Sequence, residues 1–329
     1  PNLTAGLNVN MGKGDDFVQI ETGATGRLDI DLGDGDDTLN VYGGAGNSVF
    51  RSGSGNNNII NKSAQPFYDE DLNYVDFDPV EVFLGDGNNR YLGGAADEII
   101  RVGSGNDEII TFDGDDRIIV ASSGNKKIDA GDGDNRVTVN AGGVHNITLG
   151  RGDSVVELNG DGLNTVYAGD GETNVFINNA AGTHTLVGND GFDQAWLDID
   201  SAGEAVDIGA GSFALGDLTV NLENNFDMLN VEDLSSNATV LRNASTLDNS
   251  WGGSGLSLVN DQSAIDVTDL SFTAPEGRLA LYGRGLIGTL NTDVAVLTVV
   301  NSSTSDHADV IVREADDLAI ADYFGFDGR

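Results

Sequence analysis

Apolar residues recur along this chain with a fixed beat. From Tyr91 the inward positions read Tyr91, Ile99, Ile109, Ile118, Ile128, Val137, Ile147, Val156, Val166, Val175, Leu186 and Ala195, and the column stays apolar throughout. A second apolar residue often follows two positions later, as in Ile118/Val120, Val137/Val139, Ile147/Leu149, Val156/Leu158 and Val175/Ile177. Period two in β-branched residues predicts short strands with one buried face. Between the strands lie segments of the form Gly-x-Gly-x-Asp/Asn: Gly85 to Asn89, Gly103 to Asp107 and Gly131 to Asn135. Glycine reaches positive φ at no steric cost, so these segments predict tight turns. The steps alternate between about nine and ten residues, and two of them make a coil of roughly 19. No single coil can bury its own apolar stripe, so the array is stable only as a stack. The prediction is an all-β parallel β-solenoid whose coils are spaced by about 4.8 Å.

The same beat opens the chain at Asp16/Val18, Asp37/Leu39, Ser48/Phe50 and Asn57/Ile59. It lapses between Lys62 and Glu81, where glycines are missing and Gln65-Pro66-Phe67-Tyr68 and Asp78-Pro79 occur, which predicts a loop or a distorted coil. Beyond residue 200 the glycine-aspartate turns fade while short apolar strands continue, among them Leu218–Leu222, Met228–Val231, Thr239–Leu241, Leu256–Val259, Ile265–Val267, Leu279–Tyr282, Val296–Val300, Val310–Val312 and Leu318–Ile320. The expected organisation is repeat coils over 1–61, an irregular segment over 62–84, a glycine-aspartate roll over 85–200 and a plainer parallel β-helix over 201–329. A β-sandwich competes for the last part; the lack of clear two-residue hairpin signals favours the solenoid.

Charge changes the picture more than composition does. With 54 acidic and 16 basic residues the formal net charge is −38. Such a surface repels nucleic acid and anionic lipid and attracts cations. There is no Cys, which removes disulfides, zinc-thiolate centres and cysteine nucleophiles. No run of eighteen apolar residues predicts a membrane span. The start at Pro1 and the close at Gly328-Arg329 lead us to expect a segment of a longer chain.

The residues up to Ala195 resemble RTX repeats, the glycine-rich nonapeptide Gly-Gly-x-Gly-x-Asp-x-apolar-x of proteins exported by type I secretion, with Gly103-Ser-Gly-Asn-Asp-Glu-Ile109 the close match. The resemblance implies a β-roll that binds Ca2+ between equivalent turns of successive coils, as suits a hard cation seeking six to eight oxygens. It implies metal ligands at Asp16, Asp37, Asn89, Asp97, Asp107, Asp116 and Asn135. The turns fall into two columns, Asp97, Asp116, Asn135, Ser154, Thr173 and Asp193 on one edge, and Asn89, Asp107, Lys126, His145, Asn164 and His184 on the other. Asp97 with Asp116 is the expected best pair. Lys126 and the two histidines lead us to expect no calcium on the second edge beyond Asp107. His145 and His184 read as solvated turn residues, and Trp196 and Trp251 as solenoid core or end residues. Residues 290–320 resemble, loosely, repeats of giant bacterial surface proteins of the filamentous-adhesin kind, which implies an extracellular fibre.

Candidate chemistry is sparse. No serine elbow, phosphate loop or His-Glu-x-x-His occurs, and the Asp-Pro-His-Asp of the alginate epimerases that carry similar repeats is absent, since Asp78-Pro79 precedes Val80. The expectation is a non-enzymatic, calcium-stabilised structural segment of a large secreted or cell-surface adhesin, fibre or surface-layer protein. Its expected partners are calcium, extracellular or cell-surface polysaccharide and neighbouring segments of the same fibre. The alternative is a carbohydrate-binding or secretion module of an RTX-secreted toxin or polysaccharide-modifying enzyme.

Overall fold

The computed structural model describes residues 6–21, 26–43, 47–62, 67–68, 74–75, 79–178, 181–243, 251, 253–302 and 311–314. Most of the irregular segment after Lys62, Asp78, and the expected strand at Leu318–Ile320 lie outside the described residues. The described residues contain no helix, and the chain is a parallel β-solenoid of about 13 turns. It divides into two compact units, Pro1–Phe176 with Asn189–Gly191, and Ile177–Gly188 with Phe192–Arg329.

In the first unit, strands alternate between two parallel sheets, so that each pairs with its equivalent one coil on, and Phe67–Tyr68 forms a separate antiparallel pair with Tyr74–Val75. One sheet aligns Ile100 with Ile118, Ile118 with Val137 and Val137 with Val156. The other aligns Tyr91 with Ile109, Ile109 with Ile128, Ile128 with Ile147 and Ile147 with Val166. All of these side chains are buried, and together they form an apolar ladder between the sheets. The expected column therefore holds except at Ile99. That residue pairs with Arg117 and points away from the core, while Ile100 takes the inward place. The turn Gly94-Ala-Ala-Asp-Glu98 supplies the extra residue, and because the strand period is two, a one-residue slip exchanges the faces.

Between Asn57 and Asn89 the step from coil to coil widens to 32 residues, against 18 from Asn89 to Asp107 and 19 from Asp107 to Lys126. The residues after Asn61 are thus added to a coil, and the ladder resumes with Asn58 beside Arg90. Stacking is close at the turns. Gly105 has φ of 120°, and a Cβ there would lie 1.8 Å from the Gly87 carbonyl oxygen of the preceding coil. Only glycine permits both that backbone angle and that approach.

The second unit keeps parallel pairing from Gln194–Ile199 through Met228–Asp233, Gly255–Asn260 and Ser271–Gly283 to Thr289–Asn301. Its other sheet departs from the expected solenoid. Ala205–Gly209 pairs antiparallel with Ser212–Leu215, which pairs antiparallel with Leu218–Glu223. Two short turns make this meander, with Gly211 at φ 55° and Gly216 at φ 56°. The Gly216-Asp217 dipeptide between apolar runs is a two-residue hairpin signal, and the absence of such signals does not hold here. Trp251 is buried and donates its indole N–H to the Gly209 carbonyl at 2.9 Å, with its ring 5.3 Å from that of Phe272. It is a core residue as expected, whereas Trp196 is 42% exposed.

Candidate cation-binding turns

In the glycine-aspartate turns from Asp37 to Ser154 the last residue points into the coil, at the junction with the following strand, and, Lys126 and His145 apart, its side chain accepts a hydrogen bond from the preceding coil. The sequence pattern predicts its identity, Asp or Asn, and the structure shows why polarity is needed there. The side chain accepts the backbone N–H of the equivalent residue one coil earlier. Asp37 Oδ1 accepts the Asp16 N–H at 2.8 Å, Asn57 Oδ1 the Asp37 N–H at 3.1 Å, Asn89 Oδ1 the Asn57 N–H at 3.1 Å and Asp107 Oδ1 the Asn89 N–H at 2.8 Å. On the opposite edge Asp116 Oδ1 accepts the Glu98 N–H at 2.8 Å, Asn135 Oδ1 the Asp116 N–H at 2.9 Å and Ser154 Oγ the Asn135 N–H at 3.2 Å. A buried backbone donor must be satisfied, and these side chains satisfy it in the coils named, while the Asp107 N–H, opposite Lys126, donates to the Asn125 carbonyl at 3.0 Å instead.

The remaining atoms of each side chain face the turn itself. Where the residue is Asn, its amide supplies donors to the turn carbonyls. Asn89 Nδ2 donates to Gly85 O at 2.9 Å, and Asn135 Nδ2 to Gly131 O at 3.2 Å and Gly133 O at 3.1 Å. Where it is Asp, the side chain has only acceptors to offer. The second oxygens of Asp16, Asp37 and Asp116 are buried with no hydrogen-bond partner, and so is Oε2 of Glu98. These four orphaned oxygens occur at the positions where the column places a carboxylate.

Glu98 and Asp116 form the denser of these sites. The register places Glu98, not Asp97, opposite Asp116. Both side chains are buried. Glu98 Oε1 accepts the Tyr91 hydroxyl at 3.2 Å and the Gly94 N–H at 3.1 Å, which leaves Oε2 alone. The Thr111 hydroxyl lies beside Asp116 but donates its proton to the Ala130 carbonyl at 2.9 Å. Burial pushes the Asp116 carboxyl up to about 7 and holds Glu98 well above the usual carboxylate range, with the neighbouring Asp116 charge adding to the effect. Asp37 is likewise raised, first by burial and then by the charges of Asp16, Asp15 and Asp36. Burial therefore favours the protonated form of these carboxyls, and a cation bound here has to displace those protons. Each of the Asp16/Asp37 and Glu98/Asp116 levels brings two carboxylates together, and among the described residues no group of three or more His, Cys, Asp or Glu is placed to hold a metal ion.

The other expected ligands sit differently. Asp97 belongs to an outward ladder in which Asp97 Oδ1 accepts the Asp115 N–H, Asp115 Oδ1 the Asp134 N–H, Asp134 Oδ1 the Asp153 N–H, all at 2.8 Å, and Asp153 Oδ1 the Glu172 N–H at 3.0 Å. This carries a line of carboxylates along one edge at the coil spacing. Asn89 and Asn135 are within the inward columns, their oxygens taken by backbone N–H groups and their amides by carbonyls. Asp107 is bound by Lys126 of the next coil. His145 and His184, expected in solvent, are buried. His145 Nε2 lies 3.2 Å from the Ala141 carbonyl, so that nitrogen carries the proton, and burial lowers its pKa with the nearby Lys126 charge adding to the effect. A polar residue at the strand junction points inward whatever its type, because the pleat leaves it no other direction.

Glu98 was not expected as a site residue. Ile99 and Ile100 are alike in sequence, so only the register, which puts Ile100 in the apolar ladder, fixes Glu98 as the inward residue two positions earlier.

Compared with protein families, curated proteins and solved structures, the chain matches none. No helix among the described residues is long and apolar enough to cross a membrane.

Proposed function

We propose that this chain is a non-enzymatic, calcium-stabilised structural segment of a large secreted or cell-surface protein of the adhesin, fibre or surface-layer kind. One observation carries the reading: buried carboxylate oxygens without partners recur in stacked turns, at Asp16, Asp37, Glu98 and Asp116. An unpaired buried charge is strongly destabilising, so the ionised turns need a counterion. A bound divalent cation supplies it, and its binding free energy becomes folding free energy. The net charge of −38 supports an environment in which calcium is plentiful, since an acidic stack without it repels itself. Extracellular or cell-surface polysaccharide and adjoining segments of the same fibre are the partners this reading assigns. Ligands are Asp16 with Asp37, and Glu98 with Asp116.

The test is calorimetric titration of the metal-stripped chain with calcium, followed by circular dichroism in excess chelator. Saturable binding that is lost in the Asp116→Asn, Glu98→Gln double variant is expected. A β signal and melting profile indifferent to chelator, after verified metal removal, would sink the proposal.

A further inference from the structure

The turn from Gly103 to Asp107 carries a carboxylate in the inward column, yet none of its oxygens is orphaned. The cause is Lys126, which the register places opposite Asp107 in the following coil. Its ammonium reaches back into the earlier turn. Lys126 Nζ donates to Gly103 O at 3.0 Å, to Gly105 O at 2.6 Å and to Asp107 Oδ2 at 2.7 Å. Those are the three donors an ammonium has, each on an oxygen. Both side chains are 0% exposed. Asp107 Oδ1 meanwhile accepts the Asn89 N–H at 2.8 Å and the Asn89 amide at 3.0 Å. The two carbonyls that receive the ammonium stand first and third in their turn. In the turns ending at Asn89 and Asn135 the first and third carbonyls, Gly85 and Gly87, Gly131 and Gly133, receive the amide of the turn's own asparagine.

A compact monovalent cation held by two carbonyls and a carboxylate, fully buried, is a cation site in its chemistry. We propose that the Asp107 turn is a cation-binding turn whose cation is the Lys126 ammonium, tethered by its own chain, and that a neutral side chain at 126 opens this turn to calcium. The tether makes this level of the stack independent of metal supply and of calcium concentration. It also explains the pattern down the column, where negative Asp107 is followed by positive Lys126 and then by His145, which the Lys126 charge helps keep neutral. Lysine works here because its four-carbon stem spans one coil and its head is a point charge; arginine's planar fork would not enter a turn this tight.

The inference shares with the proposed function the idea that these turns receive cations, but its test reads a difference between two proteins. The probe is calcium alone, titrated calorimetrically into the full metal-stripped chain as wild type, Lys126→Met and Lys127→Met. Lys127 is the exposed neighbour paired to Glu108, and its variant is the control. Lys126→Met is expected to bind one calcium equivalent more than wild type. Its melting temperature in chelator should fall by roughly 5–10 °C and return with calcium. The Asp107→Asn, Lys126→Met double variant should lose the extra equivalent. If Lys126→Met does not fold in chelator, the titration is read after refolding in calcium, and Lys126→Asn, which installs the side chain already used at Asn89 and Asn135, should show the same extra equivalent. An unchanged calcium count in both variants, or failure of both to fold at saturating calcium, overturns the inference. A wild type that binds no calcium beside a Lys126→Met variant that binds one would refute the reading of Asp37 and Asp116 and uphold this one.

Discussion

Two buried carboxylates, one in each unit, show the contrast that organises this molecule. Asp233, in the second unit, is buried and saturated. It accepts the Ser201 N–H at 3.1 Å, the Ser201 hydroxyl at 2.7 Å, the Ser235 N–H at 3.0 Å and the Thr239 hydroxyl at 2.5 Å. Asp116, in the first unit, accepts the Glu98 N–H, and its side chain otherwise meets the Glu98 carboxyl, a second acid. The second unit solves the problem of a buried anion with the hydroxyls of Ser201 and Thr239 and the backbone N–H groups of Ser201 and Ser235. In the first unit the Asp116 turn, Phe112-Asp-Gly-Asp-Asp116, holds no hydroxyl or amide side chain of its own to donate. Glycine gives the close stacking and leaves few side-chain donors in the turn, and the proposed cations would take their place. The difference teaches that turn composition decides whether a solenoid coil is self-sufficient.

Chelation should break the two units apart in behaviour, and this is the largest effect we expect. Hydrogen exchange in excess chelator should lose protection over residues 85–176 while residues 218–283 stay protected. Equal loss in both units would dissolve the distinction. A pH series sharpens it. In metal-free protein the Asp116 carboxyl titrates near 7 in the folded state and near its ordinary 3.8 when unfolded. The folded form therefore holds an extra proton between these values, and stability falls as pH rises through that window, by on the order of 4 kcal/mol. Calcium binding at pH 6 should release protons, and affinity should rise with pH; the buffer-dependence of the binding enthalpy measures the release.

Paired substitutions come next. Asp233→Ala leaves four donors without an acceptor and should cost about 3 kcal/mol by denaturant unfolding, in calcium or chelator alike. Asp116→Asn should instead change sign with conditions. In chelator it removes an unpaired charge and installs the amide that serves at Asn135, a gain of about 2 kcal/mol; in calcium it should lose metal stabilisation. Identical behaviour of the two variants would mean that both carboxylates are structural. The smallest effect concerns Phe112, which opens the Asp116 turn at φ 74° where the next coil has Gly131. Phe112→Gly should add about 1 kcal/mol in thermal unfolding, with or without metal, by relieving that backbone strain.

From Ile109 to Val166 the alternation of sequence alone was enough to predict which residues face the core, since a strand's period is local and a glycine turn announces itself. The columns Asn89, Asp107, Lys126 and Asp116, Asn135, Ser154 were legible for the same reason. Asp97 was misaligned because Gly94-Ala-Ala-Asp-Glu98 holds two acidic residues in succession, and only the hydrogen-bonded register tells which faces inward. The meander from Ala205 to Glu223 lies outside the sequence reading although Gly216-Asp217 marks its second turn, since apolar runs are common to both architectures and strand direction is set by which neighbour pairs. Lys126 shows the limit most plainly. Sequence determined that a positive charge occupies an acidic column. Only the stacking of coils decided that its head lies in the turn before its own, because a side chain's partner is chosen by distance in space between residues 19 apart in the chain.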